Sequence, residues 1–272
     1  MQRFIHYQNA KIVYTKVGEG ETVVLLHGFG EDSSIWDEQL SELKNKFELI
    51  IPDLPGSGKS EMIFKQGISI EDYANCLHAI LKNEGIDQCI LLGHSLGGYI
   101  TLTFASIYGS MLSGFGLIHS TAFSDSDEKK HTRKKGIQFI EEHGAGLFLK
   151  STVANLFSNK SKTEKSDLIV RLTEKGYDFS NQALIQYYNA MINRQDNTHV
   201  LRKAAIPVLF IIGTEDIPAP MNDVLKQVHL PNTSFIHIFP DVGHMSMIED
   251  PEKLNKSLSN FCSIVSLIRS EK

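Results

Sequence analysis

The chain has 272 residues, enough for one large domain with a full core or for a core interrupted by an insertion. Hydrophobic residues make up 42% and charged residues 22%, the balance of an ordinary globular protein and not of a disordered or fibrous one. A net charge of −5 and a sequence pI near 6.1 argue against a general attraction to nucleic acid or anionic membrane.

Met1 to Gln8 (MQRFIHYQ) holds no apolar run of secretory length, so no signal peptide is expected. No stretch of about 18 apolar residues could span a bilayer. Residues 11–17 (KIVYTKV) alternate after a turn signal at Gln8-Asn9, which predicts an N-terminal hairpin. Residues 22–27 (TVVLLH) form a continuous apolar run, as in a strand buried on both faces. Runs of that character recur at 47–52, 88–93, 115–119, 207–213 and 234–239. Helical patterns at 35–46, 70–84, 96–108, 221–228 and 251–267 lie between and after them. This alternation predicts a parallel α/β sheet with crossovers of one hand. Trp36, the single tryptophan, is expected to pack the first of these helices.

From 121 to 197 the rhythm changes. No strand-like run occurs, and Ile137, Ile140, Leu147, Val153, Leu156, Phe157, Leu184, Tyr187, Tyr188 and Met191 fall at helical spacing. The expectation is a helical insertion at 121–197 within a core domain made of 1–120 and 198–272. Its basic run, 128–135 (EKKHTRKK), reads as a solvated helix face. Cys76, Cys89 and Cys262 are scattered and lack metal-ligand spacing, so they read as reduced, buried thiols of a cytoplasmic protein.

The strongest chemical signal is Gly93-His94-Ser95-Leu96-Gly97. It fits G-x-S-x-G, with an apolar strand running in and a helical pattern running out. A serine at that junction sits on a sharp turn, and side chains at 93 and 97 would collide with the neighbouring strand and helix. A serine hydroxyl needs a base, and the base needs an orienting carboxylate. His244 follows the last predicted strand, on the same sheet edge as Ser95. Asp216 follows the strand before it and ranks ahead of Glu215 and Asp241 as the acid. The oxyanion of acyl transfer needs two donors, assigned to the N–H groups of Leu96 and Phe29. The Phe29 and Leu96 side chains are also expected to touch the acyl group. His27 is expected to brace its loop, and His94 to line the elbow without moving a proton. Residues Asp53 to Ser60 (DLPGSGKS) end like a phosphate-binding loop. That loop requires a glycine where Asp53 stands, so no nucleotide is expected.

HGFGEDSSIW, DLPGSGKS, GHSLGG, GTEDIPAP and DVGHMSMIEDP, in that order and spacing, resemble the α/β-hydrolases with a helical cap. The resemblance covers nearly the whole chain. It implies an eight-stranded, mostly parallel α/β-hydrolase sheet with helices on both faces and the cap inserted after the sixth strand. DLPGSGKS then resembles the family's D-x-x-G-x-G-x-S turn, with Lys59 and Ser60 incidental. Serine at the elbow resembles the esterases, lactonases and carbon–carbon bond hydrolases, whereas relatives with aspartate there are dehalogenases or epoxide hydrolases. The implied activity is hydrolysis of small or medium acyl or aryl esters, with no metal or organic cofactor and no nucleic-acid or membrane partner. A carboxylate held by Arg133 or Arg171 would instead suit a cofactor-free lyase or carbon–carbon hydrolase of this fold. A hydrolase-like binding protein without turnover is the remaining expectation.

Overall fold

The computed structural model describes residues 1–175 and 179–270. Gln8 and Asn9 both take positive φ, 48° and 63°, and turn the chain between β1 (Gln2–Tyr7) and β2 (Ala10–Val17). Two positive φ values in a two-residue loop match the twist of paired antiparallel strands. The chain continues through β3 (Thr22–Leu26), β4 (Glu48–Pro52), β5 (Cys89–His94), β6 (Leu112–Ile118), β7 (Val208–Gly213) and β8 (Ser234–Phe239). These make one eight-stranded sheet in the order β1-β2-β4-β3-β5-β6-β7-β8. β2 runs antiparallel to β1 and β4, and the remaining neighbours are parallel.

Every residue of β3, β5 and β7 is buried, which is why their sequences read as unbroken apolar runs. β6 begins three residues before the predicted 115. A bulge explains the difference: Cys89 pairs with Leu112 and Ile90 with Gly114, so Ser113 is the extra residue. Because β3, β5, β6, β7 and β8 are adjacent and parallel, the loops that follow them emerge on one edge. That edge carries Ser95, His119, Asp216 and His244.

The predicted helix 35–46 starts instead as a short 3₁₀ turn, Ser33–Trp36, followed by the helix Asp37–Leu43. The Asp32 side chain accepts the Ser34 N–H at 2.9 Å and so closes the front of the turn. Trp36 is buried, with its indole edge-on to the His94 ring at 6.5 Å. Between β6 and β7 lie the helices Asp127–His143, Ala145–Thr152, Asn159–Glu164, Ser166–Lys175, Asn181–Ile192 and Thr198–Lys203. The three cysteines are free and buried, and burial pushes the Cys76 and Cys89 thiols up to about 12. Among the described residues, no helix is long and apolar enough to cross a membrane.

The strand-to-helix turn at Ser95 constrains its glycines. A Cβ on Gly93 would lie 2.2 Å from the Gly97 carbonyl oxygen, whereas one on Gly109 would meet nothing within 4 Å. Gly93→Ala should therefore destabilise the protein by at least about 2 kcal/mol in urea unfolding, and Gly109→Ala should stay within about 0.5 kcal/mol of wild type.

Candidate active site

Ser95 has φ 51° and ψ −111°, a conformation that costs a non-glycine residue about 1–3 kcal/mol. Its surroundings hold it there. The Ser95 N–H donates to the Ile118 carbonyl at 3.0 Å, tying the turn to β6. The Ser120 hydroxyl donates to the Ser95 carbonyl at 2.8 Å. Gly97 lies against β3, where a Cβ would come within 2.6 Å of the Leu26 carbonyl oxygen.

Asp216 is the electrostatic centre of the edge. The Nδ1 of His244 lies 2.9 Å from its Oδ1 and 3.0 Å from its Oδ2. The Nδ1 of His119 lies 2.9 Å from Oδ2, and the Ala219 N–H donates to Oδ1 at 2.8 Å. Burial alone would raise the Asp216 carboxyl, but the two imidazoles against it hold it well below the usual carboxylate range. An ionised Asp216 accepts from both Nδ1–H groups. That fixes the tautomer of each ring and leaves the His244 Nε2 with its lone pair. Among the described residues, no hydrogen bond takes up that Nε2. Ser95 and His244 line the same cavity, of about 170 Å³. Glu215, by contrast, turns away and accepts the Asn159 N–H at 2.9 Å, and Asp241 is exposed.

His119 was not foreseen. It sits directly after β6 at φ 50°, where the sequence offers no carboxylate, and it is 1% exposed. Burial lowers its pKa despite Asp216, so the ring is neutral and its Nε2 accepts the Ser246 hydroxyl at 2.8 Å. His119, Asp216 and His244 are close enough to share a metal ion. Their direct hydrogen bonds instead use the carboxylate oxygens and both Nδ1 atoms.

The loop after β3 is braced as expected. The Leu54 N–H donates to His27 Nε2 at 2.9 Å, so the proton is on Nδ1, which donates to the Gly28 carbonyl at 2.8 Å. Among the described residues, the Phe29 and Leu96 amides have no hydrogen-bond partner. The Phe29 ring lines the cavity and stacks on Tyr188 at 4.3 Å. The Leu96 side chain is fully buried and is not among the residues that line the cavity, so the expected contact of this side chain with an acyl group is not made there.

His94 does more than line the elbow. Its Nδ1 lies 3.0 Å from Glu31 Oε2, and its Nε2 lies 2.9 Å from the His244 carbonyl oxygen. Glu31 Oε2 also accepts the Gly28 N–H at 2.6 Å. Both ring nitrogens of His94 thus face acceptors, which requires an imidazolium. Burial opposes that charge, but Glu31 raises the His94 pKa above its ordinary value, and His94 in turn lowers that of Glu31 against its own burial.

The DLPGSGKS turn is filled by its own aspartate. Asp53 accepts the Ser33 and Lys59 N–H groups, each at 2.9 Å. The Ser57 and Ser60 amides donate to the Leu54 and Ser57 carbonyls, and the Gly56 amide to that of Glu61 just beyond the stretch. Ser60 is structural and not incidental: its buried hydroxyl accepts the Val13 N–H at 2.8 Å and donates to the Asp53 carbonyl at 2.7 Å. Ser57 and Tyr187 share a 2.7 Å hydroxyl contact that ties this turn to the helix Asn181–Ile192. Of the two arginines singled out from sequence, Arg171 is exposed on its helix and Arg133 lines the cavity.

The model of the Ndr family matches residues 32–269. A 2-hydroxy-6-oxononadienedioate/2-hydroxy-6-oxononatrienedioate hydrolase from Paraburkholderia phymatum is 27% identical over 92% of this chain and 90% of its own length. The dihydrolipoyllysine-residue acetyltransferase component of the acetoin cleaving system of Pseudomonas putida is 27% identical over 90% of this chain, which spans 64% of that protein. A thermophilic esterase from Thermogutta terrifontis superposes with a TM-score of 0.91 at 24% identity, covering 97% of this chain and 99% of that one. That likeness establishes the α/β-hydrolase fold.

The Glu31–His94 pair has a defined pH signature. The raised His94 contributes stability that is fully present below its ordinary pKa of 6.5 and is lost as pH rises through its folded value. The lowered Glu31 contributes stability present above 4.5 and lost as pH falls through its folded value. Glu31→Gln should therefore cost roughly 1–3 kcal/mol. In paired thermal melts, the gap to wild type should be widest between pH 4.5 and 6.5 and narrow as pH rises.

Proposed function

The chain belongs to the Ndr family of the α/β-hydrolase superfamily, and we propose that it is a serine hydrolase of small carboxylic esters working through Ser95, His244 and Asp216. The observation that carries this reading is the shared cavity of Ser95 and His244, with His244 held by Nδ1 to a buried, ionised Asp216. His244 Nε2 takes the Ser95 proton as Oγ bonds to the ester carbonyl carbon. The carbonyl π pair moves onto oxygen, where the Phe29 and Leu96 amides receive it. Collapse breaks the carbon–oxygen bond to the leaving group, which takes the proton from His244. Water then repeats the sequence on the acyl-enzyme, with His244 as base, and Ser95 recovers its proton. Asp216 keeps the tautomer and stabilises the imidazolium in both halves.

The helical segment 121–197 acts as the cap in this reading. Leu149, Val153, Leu156, Tyr188 and Met191 bring apolar surface to the cavity that holds Ser95, and its small volume favours short acyl groups. Carbon–carbon bond hydrolysis is the second reading. It is supported by the 27% identical dienedioate hydrolase and by Arg133 in the cavity.

Steady-state hydrolysis of p-nitrophenyl esters from acetate to dodecanoate tests the proposal. Wild type should turn over with a short-chain optimum, and Ser95→Ala and Asp216→Asn should each lose on the order of 10⁴-fold in kcat. A folded wild-type protein inactive at every chain length would overturn the ester reading.

A further inference from the structure

Most of the basic run on the helix Asp127–His143 is exposed, as a solvated face should be. Arg133 breaks the pattern. Its side chain is 20% exposed and reaches the wall of the cavity that holds Ser95. Its Nε donates to Asp125 Oδ2 at 2.6 Å and its Nη2 to Asp125 Oδ1 at 3.3 Å. Asp125 is fully buried at its carboxylate and also takes Arg194 Nη1 at 2.7 Å. Two guanidinium groups thus share one carboxylate, and the cluster carries a net charge of +1.

The second arginine cannot turn to a ligand. Arg194 is 4% exposed at its side chain, donates to the Met191 and Phe123 carbonyls, and lies over the Tyr99 ring at 3.9 Å. Arg133 has five N–H donors and gives two to Asp125. Among the described residues, its Nη1 has no partner. Burial would raise the Asp125 carboxyl, but Arg133 and Arg194 hold it below the usual range, so the unbalanced charge stays positive. A partly buried cation with spare donors on a cavity wall is costly unless an anion visits it.

The position of Arg133 limits the ligand. Its Cζ lies 5.6 Å from the centre of the Tyr188 ring, and Tyr188 stacks on Phe29, whose amide is the assigned oxyanion donor. The guanidinium is therefore one aromatic ring away from the oxyanion loop. Arg133 and Ser95 line the same cavity, so one short ligand can present a carboxylate to the first and a carbonyl to the second. Glu31, on the same wall, is answered by His94. Asp32, also in the lining, accepts the Ser34 N–H.

We propose that the cavity selects short esters that carry a second, free carboxylate, with Arg133 as its counter-ion. This deepens the ester-hydrolase reading and rests on it for turnover, though not for binding. Arg133→Met leaves Asp125 paired one-to-one with Arg194, so the cluster becomes neutral and the fold should hold.

The probes are monoethyl glutarate and ethyl pentanoate, which differ by a terminal carboxylate in place of a methyl group. Binding is read by calorimetry on Ser95→Ala and turnover by pH-stat on wild type. Ser95→Ala should bind monoethyl glutarate roughly tenfold tighter than ethyl pentanoate, and wild type should show the same preference in kcat/KM. Adding Arg133→Met should abolish the preference, and Arg133→Lys should keep part of it. Equal binding of both probes, or a preference that survives Arg133→Met, would overturn the proposal. Should Arg133→Met not fold, the preference of Ser95→Ala and its retention in Arg133→Lys decide the matter. Arg133-dependent binding without hydrolysis of either probe would uphold the carboxylate site and overturn the ester reading.

Discussion

A buried carboxylate that must remain charged governs this structure. Asp216 is removed from water, and an ionised carboxylate there is tolerated only because three N–H groups converge on it. Those donors come from three places: the loop after β7, the residue directly after β6, and the loop after β8. The carboxylate therefore fixes where these segments sit relative to one another. It also fixes the face that His244 turns toward Ser95.

A second buried charge pair is coupled to the first. Glu31 holds the Gly28 amide and His94, and His94 holds the His244 carbonyl. The loop after β3, the turn at Ser95 and the loop that carries His244 are thus joined by hydrogen bonds in a low-dielectric region where each bond is stronger than in water. His94 neighbours Ser95 in sequence, yet its work is to bind the two loops that flank the serine. The strained backbone at Ser95 persists because this network and β6 together over-determine it.

Much of this was legible from order along the chain. The apolar runs that precede Ser95, Asp216 and His244 become β5, β7 and β8 of one parallel stretch of sheet, with β6 between the first two, so the loops that follow them emerge on one edge. The turn at Gln8-Asn9 and the glycines around Ser95 carry steric meaning that survives in one dimension. What could not be read was which polar groups would choose each other. Glu31 and His94 are 63 residues apart, and His119 and Asp216 are 97 apart. No periodicity links such pairs. A polar residue directly after β6 was the one available signal for His119. Arg133 and Arg171 were both legible as possible partners of a carboxylate, but only the packing of the helices shows that Arg133 reaches the cavity and Arg171 does not. Ser60 was misjudged because its hydroxyl answers backbone groups of β2, far away in sequence.

The central claim is that an ester passes through an acyl group carried on Ser95. Product partitioning tests it without requiring the intermediate to accumulate. Ethyl, phenyl and p-nitrophenyl butyrate would each be hydrolysed at one fixed methanol concentration, and the ratio of methyl butyrate to butyrate measured. A shared acyl-enzyme predicts the same ratio from all three substrates, whatever their rates. Ratios that change with the leaving group would mean that water attacks the ester directly, and would contradict the account.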